Sequence, residues 1–280
     1  MAPLQIFHMR PPPDAFATLH SMEINRYLQR INYQGPVSPT AETLRQLQVA
    51  HLQSVPFENL SIHANEPIIL NDEALFEKIV TRRRGGFCYE LNGLFAALLR
   101  KLGFKVEMLS AGVSNNQNGF GPDFDHMTLL VTAPDSPDER WLADVGFGDS
   151  FIEPLLLDER NEQLQGERAY RIDLENDHLV LLHRDRDGEW KPQYRFTLAP
   201  HIYADYEQMC RYHQTSPDSH FTKARMCSLA TPEGRITLSG LRFISTTGTG
   251  ERLERTLSNE ETFDEMLREL FGIAMKSEQP

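Results

Sequence analysis

Cys88 follows Gly85-Gly86-Phe87 and three arginines, Arg82 to Arg84, and opens an apolar segment. Leu91, Leu94, Phe95, Leu98 and Leu99 then repeat at helical spacing, so the cysteine stands at the start of an amphipathic helix. Unpaired N–H groups and the positive end of the helix dipole favour a thiolate there, the nucleophilic form of cysteine. The same N–H groups suit an oxyanion formed when that thiolate attacks a carbonyl. The glycines allow a tight turn and the close approach of a substrate. The alternative is a buried cysteine that caps a core helix.

A nucleophile needs a base and a group to orient the base. Asp125-His126-Met127 places a histidine where a Gly-containing loop, residues 115–121, enters an apolar run. Trp141-Leu142-Ala143-Asp144-Val145-Gly146-Phe147-Gly148 places an aspartate near the end of the next apolar run, before a glycine turn. A carboxylate in such a run is costly to bury unless hydrogen-bonded, and bonding to a histidine N–H satisfies both groups and fixes the tautomer. Read singly, His126 is also a plausible loop histidine and Asp144 a turn-capping aspartate.

Several segments together resemble the arylamine N-acetyltransferases. They are Val55-Pro56-Phe57-Glu58-Asn59-Leu60, then Arg84-Gly85-Gly86-Phe87-Cys88-Tyr89-Glu90-Leu91-Asn92, then His126 with Leu129-Leu130-Val131. Asp144-Val145-Gly146-Phe147-Gly148 follows, and then Thr215-Ser216-Pro217-Asp218-Ser219-His220-Phe221 leading to Gly234-Arg235. They run in the family's order at family-like spacing and cover essentially residues 22–280. The resemblance implies a Cys88-His126-Asp144 triad arranged as in papain-like thiol enzymes. It implies that Phe57 and Phe147 flank the site and touch the aromatic acceptor. It also implies an α+β fold: a helical bundle, a β-barrel and an α/β lid. The expected activity is acetyl-CoA-dependent transfer of an acetyl group, through a Cys88 thioester, to arylamines, arylhydrazines and N-hydroxyarylamines, a reaction of xenobiotic metabolism. A cysteine hydrolase of papain or transglutaminase type, or an amide synthase with another acyl donor, is the competing reading.

The composition fits this. Hydrophobic residues make up 40% and charged residues 24% of 280, ordinary values for a globular chain that can bury a sizeable core. With 28 basic and 40 acidic residues the formal charge is −12, which argues against a nucleic-acid binder. No run is long and apolar enough for a membrane span, and the N-terminal stretch lacks a signal-peptide pattern. The three cysteines, Cys88, Cys210 and Cys227, form no disulfide framework, so a reducing, cytoplasmic location is expected.

The elements that must position these residues fall in three parts. Residues 22–103 read as helical: one helix starting at Ser38-Pro39, a second capped by Asn71 and carrying Leu75, Ile79 and Val80, and the Cys88 helix. Residues 104–205 read as a small barrel, with strands near 104–108, 127–132, 141–145, 170–174, 179–183 and 193–198 and a hairpin turn at Asp185-Arg186-Asp187-Gly188. Residues 206–280 continue a helical connection begun near Tyr203, then read as three or four strands and a last helix with Phe263, Met266, Leu267, Leu270 and Phe271 on one face. Residues 1–21, with Pro11-Pro12-Pro13, read as an N-terminal arm.

Cys210, His213, His220 and Cys227 have the chemistry of zinc ligands but not the spacing of a common site, so no metal is expected. Arg82 to Arg84 could meet coenzyme phosphates or serve as an internal ion-pair anchor. The loop before His126 departs from many relatives: Asp123 and Asp125 stand where a neutral or basic residue is common, and two carboxylates repel phosphate.

Overall fold

The computed structural model describes residues 21–115, 119–185 and 188–275, and the structural statements below concern those. The expected N-terminal arm lies, but for Ser21, outside the described residues, as do the two central residues of the expected 185–188 turn.

Four helices come first: α1 (Ser21–Arg30), α2 (Ala41–Leu52), α3 (Leu60–His63) and α4 (Asp72–Phe76), with the two-residue strand β1 (Phe57–Glu58) between α2 and α3. The α2 helix starts later than Ser38-Pro39 predicts. Thr40 is extended, and its hydroxyl accepts the Thr43 N–H at 3.1 Å, so threonine takes the capping role and Pro39 stays outside the helix. Asn71 caps α4 as its sequence suggests, accepting the Ala74 N–H at 2.8 Å. The helix then widens into a π-helical turn, Glu77–Thr81, instead of continuing as one α-helix. Lys78 on that turn is buried, and its ammonium lies 2.6 Å from Glu90.

Helix α5 (Cys88–Leu102) runs through the core, with Leu91, Leu94, Phe95, Leu98 and Leu99 all fully buried. Glu90 accepts the Phe87 N–H at 3.1 Å, which binds one of the orphan donors at its start. Gly103, at φ +99°, ends it.

The expected barrel is present. Its strands are β2 (Lys105–Val113), β3 (His126–Thr132), β4 (Trp141–Ala143), β5 (Leu155–Leu156), β6 (Gln163–Gln165), β7 (Arg168–Glu175), β8 (His178–Asp185) and β9 (Lys191–His201). They form one antiparallel sheet in the order β5-β4-β3-β2-β9-β8-β7-β6. The two edges are joined by glutamine amides instead of a strand ladder. Gln163 bonds the Leu156 N–H and carbonyl at 2.8 and 2.9 Å, and Gln165 bonds the Ile152 and Glu153 N–H groups and the Glu153 carbonyl. Side-chain amides thus satisfy an edge that would otherwise be open. Phe151, Tyr170, Ile172, Leu181 and Phe196 fill the interior.

After α6 (Tyr203–Thr215) and a 3₁₀ turn, four strands follow: β10 (Met226–Thr231), β11 (Gly234–Ser239), β12 (Arg242–Thr247) and β13 (Arg252–Thr256). Helix α7 (Glu260–Phe271) buries Phe263, Met266, Leu267 and Phe271 as expected, while Leu270 turns outward at 40% exposure. The fifth strand of this sheet is β1, which pairs with β10. Asn59 fixes the junction by donating to the Phe221 and Ala224 carbonyls at 2.8 and 2.9 Å and accepting the Met226 N–H at 2.7 Å. The Val55–Leu60 motif therefore ties the first and last parts of the chain together.

Arg84 is the internal anchor among the three arginines. Its guanidinium lies 2.9 Å from Glu58, and both side chains are almost wholly buried. Arg84→Met should cost about 3–5 kcal/mol, because it leaves the Glu58 carboxylate buried without its counter-charge. Urea unfolding measures this directly, and a loss under about 1 kcal/mol would contradict it.

Candidate active site

Cys88, His126 and Asp144 come from three elements that meet at one end of α5. The β3–β4 ladder pairs Leu129 with Ala143, which brings the start of β3 beside the end of β4. His126 Nε2 lies 2.7 Å from Asp144 Oδ2, with both side chains buried. That contact assigns Nε2–H to the aspartate and leaves Nδ1 as the ring nitrogen that can take a proton from a thiol. Three further donors converge on the carboxylate: Asn92 Nδ2 at 2.8 Å, the Gly146 N–H at 2.9 Å and Tyr194 OH at 3.2 Å. The Asp144 backbone N–H donates to Gln48 at 3.1 Å.

Asn92 sits one helical turn after Cys88 and crosses to the other two elements. It donates to the Met127 carbonyl at 2.6 Å and accepts the Val145 N–H at 2.9 Å. Gly146 packs so closely that a Cβ there would lie 2.8 Å from the Cys88 Cα. Gly85 and Gly86 serve packing too: a Cβ on Gly85 would lie 2.0 Å from the Pro56 carbonyl, and one on Gly86 would strike Glu90. Their expected part in substrate approach gives way to this contact with neighbouring chain.

Cys88 is 3% exposed, and burial pushes its thiol well above the ordinary range. The Met127 N–H opposes this shift, while the charges of Asp125 and Asp144 add to it. Burial therefore works against the thiolate that the helix start is expected to favour. In such a site charge separation is favourable only if the proton stays nearby, on His126, as a neutral pair overall.

Phe147 is half-buried, with its ring edge-on to His126 at 5.3 Å and against Tyr194 at the same distance. Phe57 meets the same turn: a Cβ on Gly148 would lie 3.4 Å from its ring. The Phe57 ring also lies 6.2 Å from Phe221. Just past the turn, Asp149 pairs with Arg168 at 2.7 Å and Arg235 at 3.3 Å, which ties the barrel to the second sheet.

Asp125 is not a free charge facing the entrance. It accepts the Val113 N–H at 3.3 Å and lies 3.2 Å from His213 Nε2, a close contact outside hydrogen-bond alignment. Burial pushes its carboxyl up, but His213 and the Val113 N–H more than reverse this and hold it below its usual range. A cavity of about 270 Å³ opens here, lined by Pro122, Asp125, Met209, Tyr212, His213 and His220 among others. A larger one, about 360 Å³, lies against Leu157, Leu179 and Phe196 of the barrel and contains none of the site residues. Arg84 is buried against Glu58 and Glu66, while Arg82, at the surface, pairs with Glu66 at 3.0 Å.

The four possible zinc ligands serve other ends. Cys210 accepts from Gln214, His213 faces Ser219, His220 packs on the Phe221 ring, and Cys227 lies in β10 opposite Glu58. Among the described residues no three His, Cys, Asp or Glu side chains converge as metal ligands, and no helix is long and apolar enough to cross a membrane.

The sequence reading missed Asn92, Gln48 and Tyr194. Asn92 carried a signal: a polar residue four positions after the candidate nucleophile faces the same side of the helix. Gln48 lies next to Leu47 in the apolar spacing of α2, and Tyr194 gave no signal at all.

A family profile for N-acetyltransferases matches residues 40–279. Arylamine N-acetyltransferase 2 of Mus musculus is 33% identical over 279 residues, covering 91% of this chain and 95% of the relative. The solved arylamine N-acetyltransferase from Salmonella typhimurium superposes with a TM-score of 0.84 at 31% identity, covering 92% of this chain and 94% of the other. That of Mycobacterium marinum, solved in complex with CoA, gives a TM-score of 0.82 at 33% identity, covering 89% and 92%.

Proposed function

The chain belongs to the arylamine N-acetyltransferase family and is an acyltransferase, and from that premise we propose a two-step transfer through Cys88. The observation that carries the proposal is the buried His126–Asp144 pair, held by Asn92 against the start of the Cys88 helix. His126 Nδ1 takes the Cys88 proton, and the imidazolium is balanced by Asp144. The thiolate attacks the acetyl carbonyl of acetyl-CoA, and backbone N–H groups at the start of α5 hold the oxyanion. The C–S bond to coenzyme A breaks and its thiol leaves with the proton from His126. An aromatic amine then attacks the acetyl-Cys88 thioester, passes its proton to His126, and leaves as the amide, with Cys88 restored.

An aromatic amine suits the second step because it is neutral and nucleophilic at pH 7, where an alkylamine is protonated. Arylhydrazines and N-hydroxyarylamines share that property, which fits a role in xenobiotic metabolism. Phe147, beside the His126 ring, and Phe57, beside the turn at Gly148, are the aromatic side chains that would meet such an acceptor. The CoA complex of the M. marinum relative supports the donor. Three buried free thiols agree with a reducing cytoplasm.

The test is coenzyme A release from acetyl-CoA with and without an arylamine or arylhydrazine. Release should rise with acceptor and be matched by amide product. Peptide cleavage without acceptor-stimulated release would point instead to a cysteine hydrolase. Silence with acetyl-CoA but turnover with another acyl thioester would point to an amide synthase.

A further inference from the structure

The chain turns sharply just before His126. Phe124 has φ +65°, in the left-handed region that an aromatic residue rarely adopts, so the turn is strained and must be held by its surroundings. The strand ladder does not hold it, because the pairing of β3 with β2 begins at His126 itself, opposite Ala111. Two side chains do. Ser110 of β2 accepts the Phe124 N–H at 2.7 Å. Tyr89 donates to the Phe124 carbonyl at 2.6 Å, with the Asp125 carbonyl also in reach at 3.3 Å.

Tyr89 is the residue after Cys88 on α5. The same helix reaches the other flank of His126 through Asn92, which donates to the Met127 carbonyl at 2.6 Å. Helix α5 thus grips the backbone on both sides of the histidine. The Tyr89 ring is packed edge-on to Phe87 at 5.0 Å and against Tyr206 at 5.7 Å, which fixes where its hydroxyl is presented. Burial pushes the phenol up, so it remains a donor at any working pH. We propose that Tyr89 is a positioning residue for the acetyl transfer: its hydroxyl clamps the strained turn at Phe124 and so holds the His126 imidazole where it can take the Cys88 proton. Without the clamp the turn relaxes toward ordinary backbone angles and carries the start of β3 with it. This rests on His126 as the base and Cys88 as the nucleophile.

The experiment is Tyr89→Phe, which removes the hydroxyl and keeps the ring. Iodoacetamide labelling of Cys88 is followed against pH, with acetylation by acetyl-CoA and urea unfolding alongside. A misplaced base predicts labelling at pH 6–7 and acetylation both slower by about tenfold. The labelling defect should fade toward alkali, where the thiol ionises without His126. In a His126→Gln background, at a pH alkaline enough for that variant to react, adding Tyr89→Phe should slow labelling no further. Ser110→Ala, which frees the Phe124 N–H, should act in the same direction, and it carries the test if Tyr89→Phe does not fold. Parent-like labelling at pH 6–7 overturns the proposal, even if urea unfolding shows lost stability, because the clamp is then structural only. Equal slowing at every pH, or in both backgrounds, overturns it as well, since Tyr89 then acts on Cys88 and not through His126. His126→Gln by itself separates the two claims: if that variant labels like the parent at pH 6–7, the assignment of the base fails, whatever Tyr89 does.

Discussion

Cys88→Ala is expected to remove covalent acetylation altogether. Acetyl-CoA without acceptor should add one acetyl mass to the parent protein and none to the variant, read by intact mass spectrometry. Transfer to an arylamine should fall at least about a thousandfold, because the variant has no nucleophile and retains only positioning and oxyanion stabilisation. The other thiols cannot take over. Cys210 is buried, with its thiol pushed up to about 12 by burial and Glu90, and Cys227 is fully buried and raised as well. Among the described residues neither is hydrogen-bonded to a histidine. The variant should stay folded, since alanine removes one sulfur and the turn is held by Gly85 against the Pro56 carbonyl and by the Glu90 carboxylate on the Phe87 N–H. Acetyl transfer at the parent rate would sink the covalent route, and an acetyl mass on Cys88→Ala would move it to another side chain.

The sequence showed α5 clearly because its apolar period, its glycine stop and its start at Cys88 all agree, and each is a local signal. The barrel was readable from its short strands and close turns, but not the way it closes. Its seam depends on Gln163 and Gln165 meeting Leu156 and Glu153, polar contacts across a sheet edge that no periodicity encodes. The same holds within the site. Cys88, His126 and Asp144 stood out because charge or nucleophilicity in an apolar run is costly, whereas Tyr194 and Gln48 are ordinary residues whose use depends on the packed fold. Gly85 and Gly86 suggest a tight turn and the approach of a substrate, whereas in the structure they and Gly146 let neighbouring parts of the chain come close. Only the partner surface, absent from a local reading, distinguishes the two uses. Burial of Cys88 stood only as the alternative to a nucleophile, whereas in the structure the cysteine opens the helix and is buried as well, which pushes its thiol up.

Asp144→Asn should leave a folded protein whose acetylation is slower by two to four orders of magnitude, about the range for losing a positioned base. The substitution keeps the shape but not the pattern of acceptors. Asn92, Gly146, Tyr194 and His126 all present donors to the two carboxylate oxygens. An amide offers one oxygen, so its NH2 must face at least one donor, and the imidazolium formed with the thiolate loses its counter-charge. One effect works the other way, since Asp144 also disfavours a negative sulfur and its removal eases the Cys88 thiol downward. That contribution ranks behind burial and Asp125, whereas the loss of balanced charge on His126 removes the proton's destination, so the loss should prevail. The pH profile separates the two. In the parent, iodoacetamide should label Cys88 at pH 6–7 through the thiolate–imidazolium pair. In Asp144→Asn labelling must wait for ionisation of a buried thiol, which burial holds above the ordinary range, so the rate at pH 6–7 should collapse and recover only toward alkali. His126→Gln should behave the same way and more strongly. Parent-like labelling of Asp144→Asn at pH 6–7 would mean that Asp144 does not orient the base, and that its four donors serve only to hold the turn after β4.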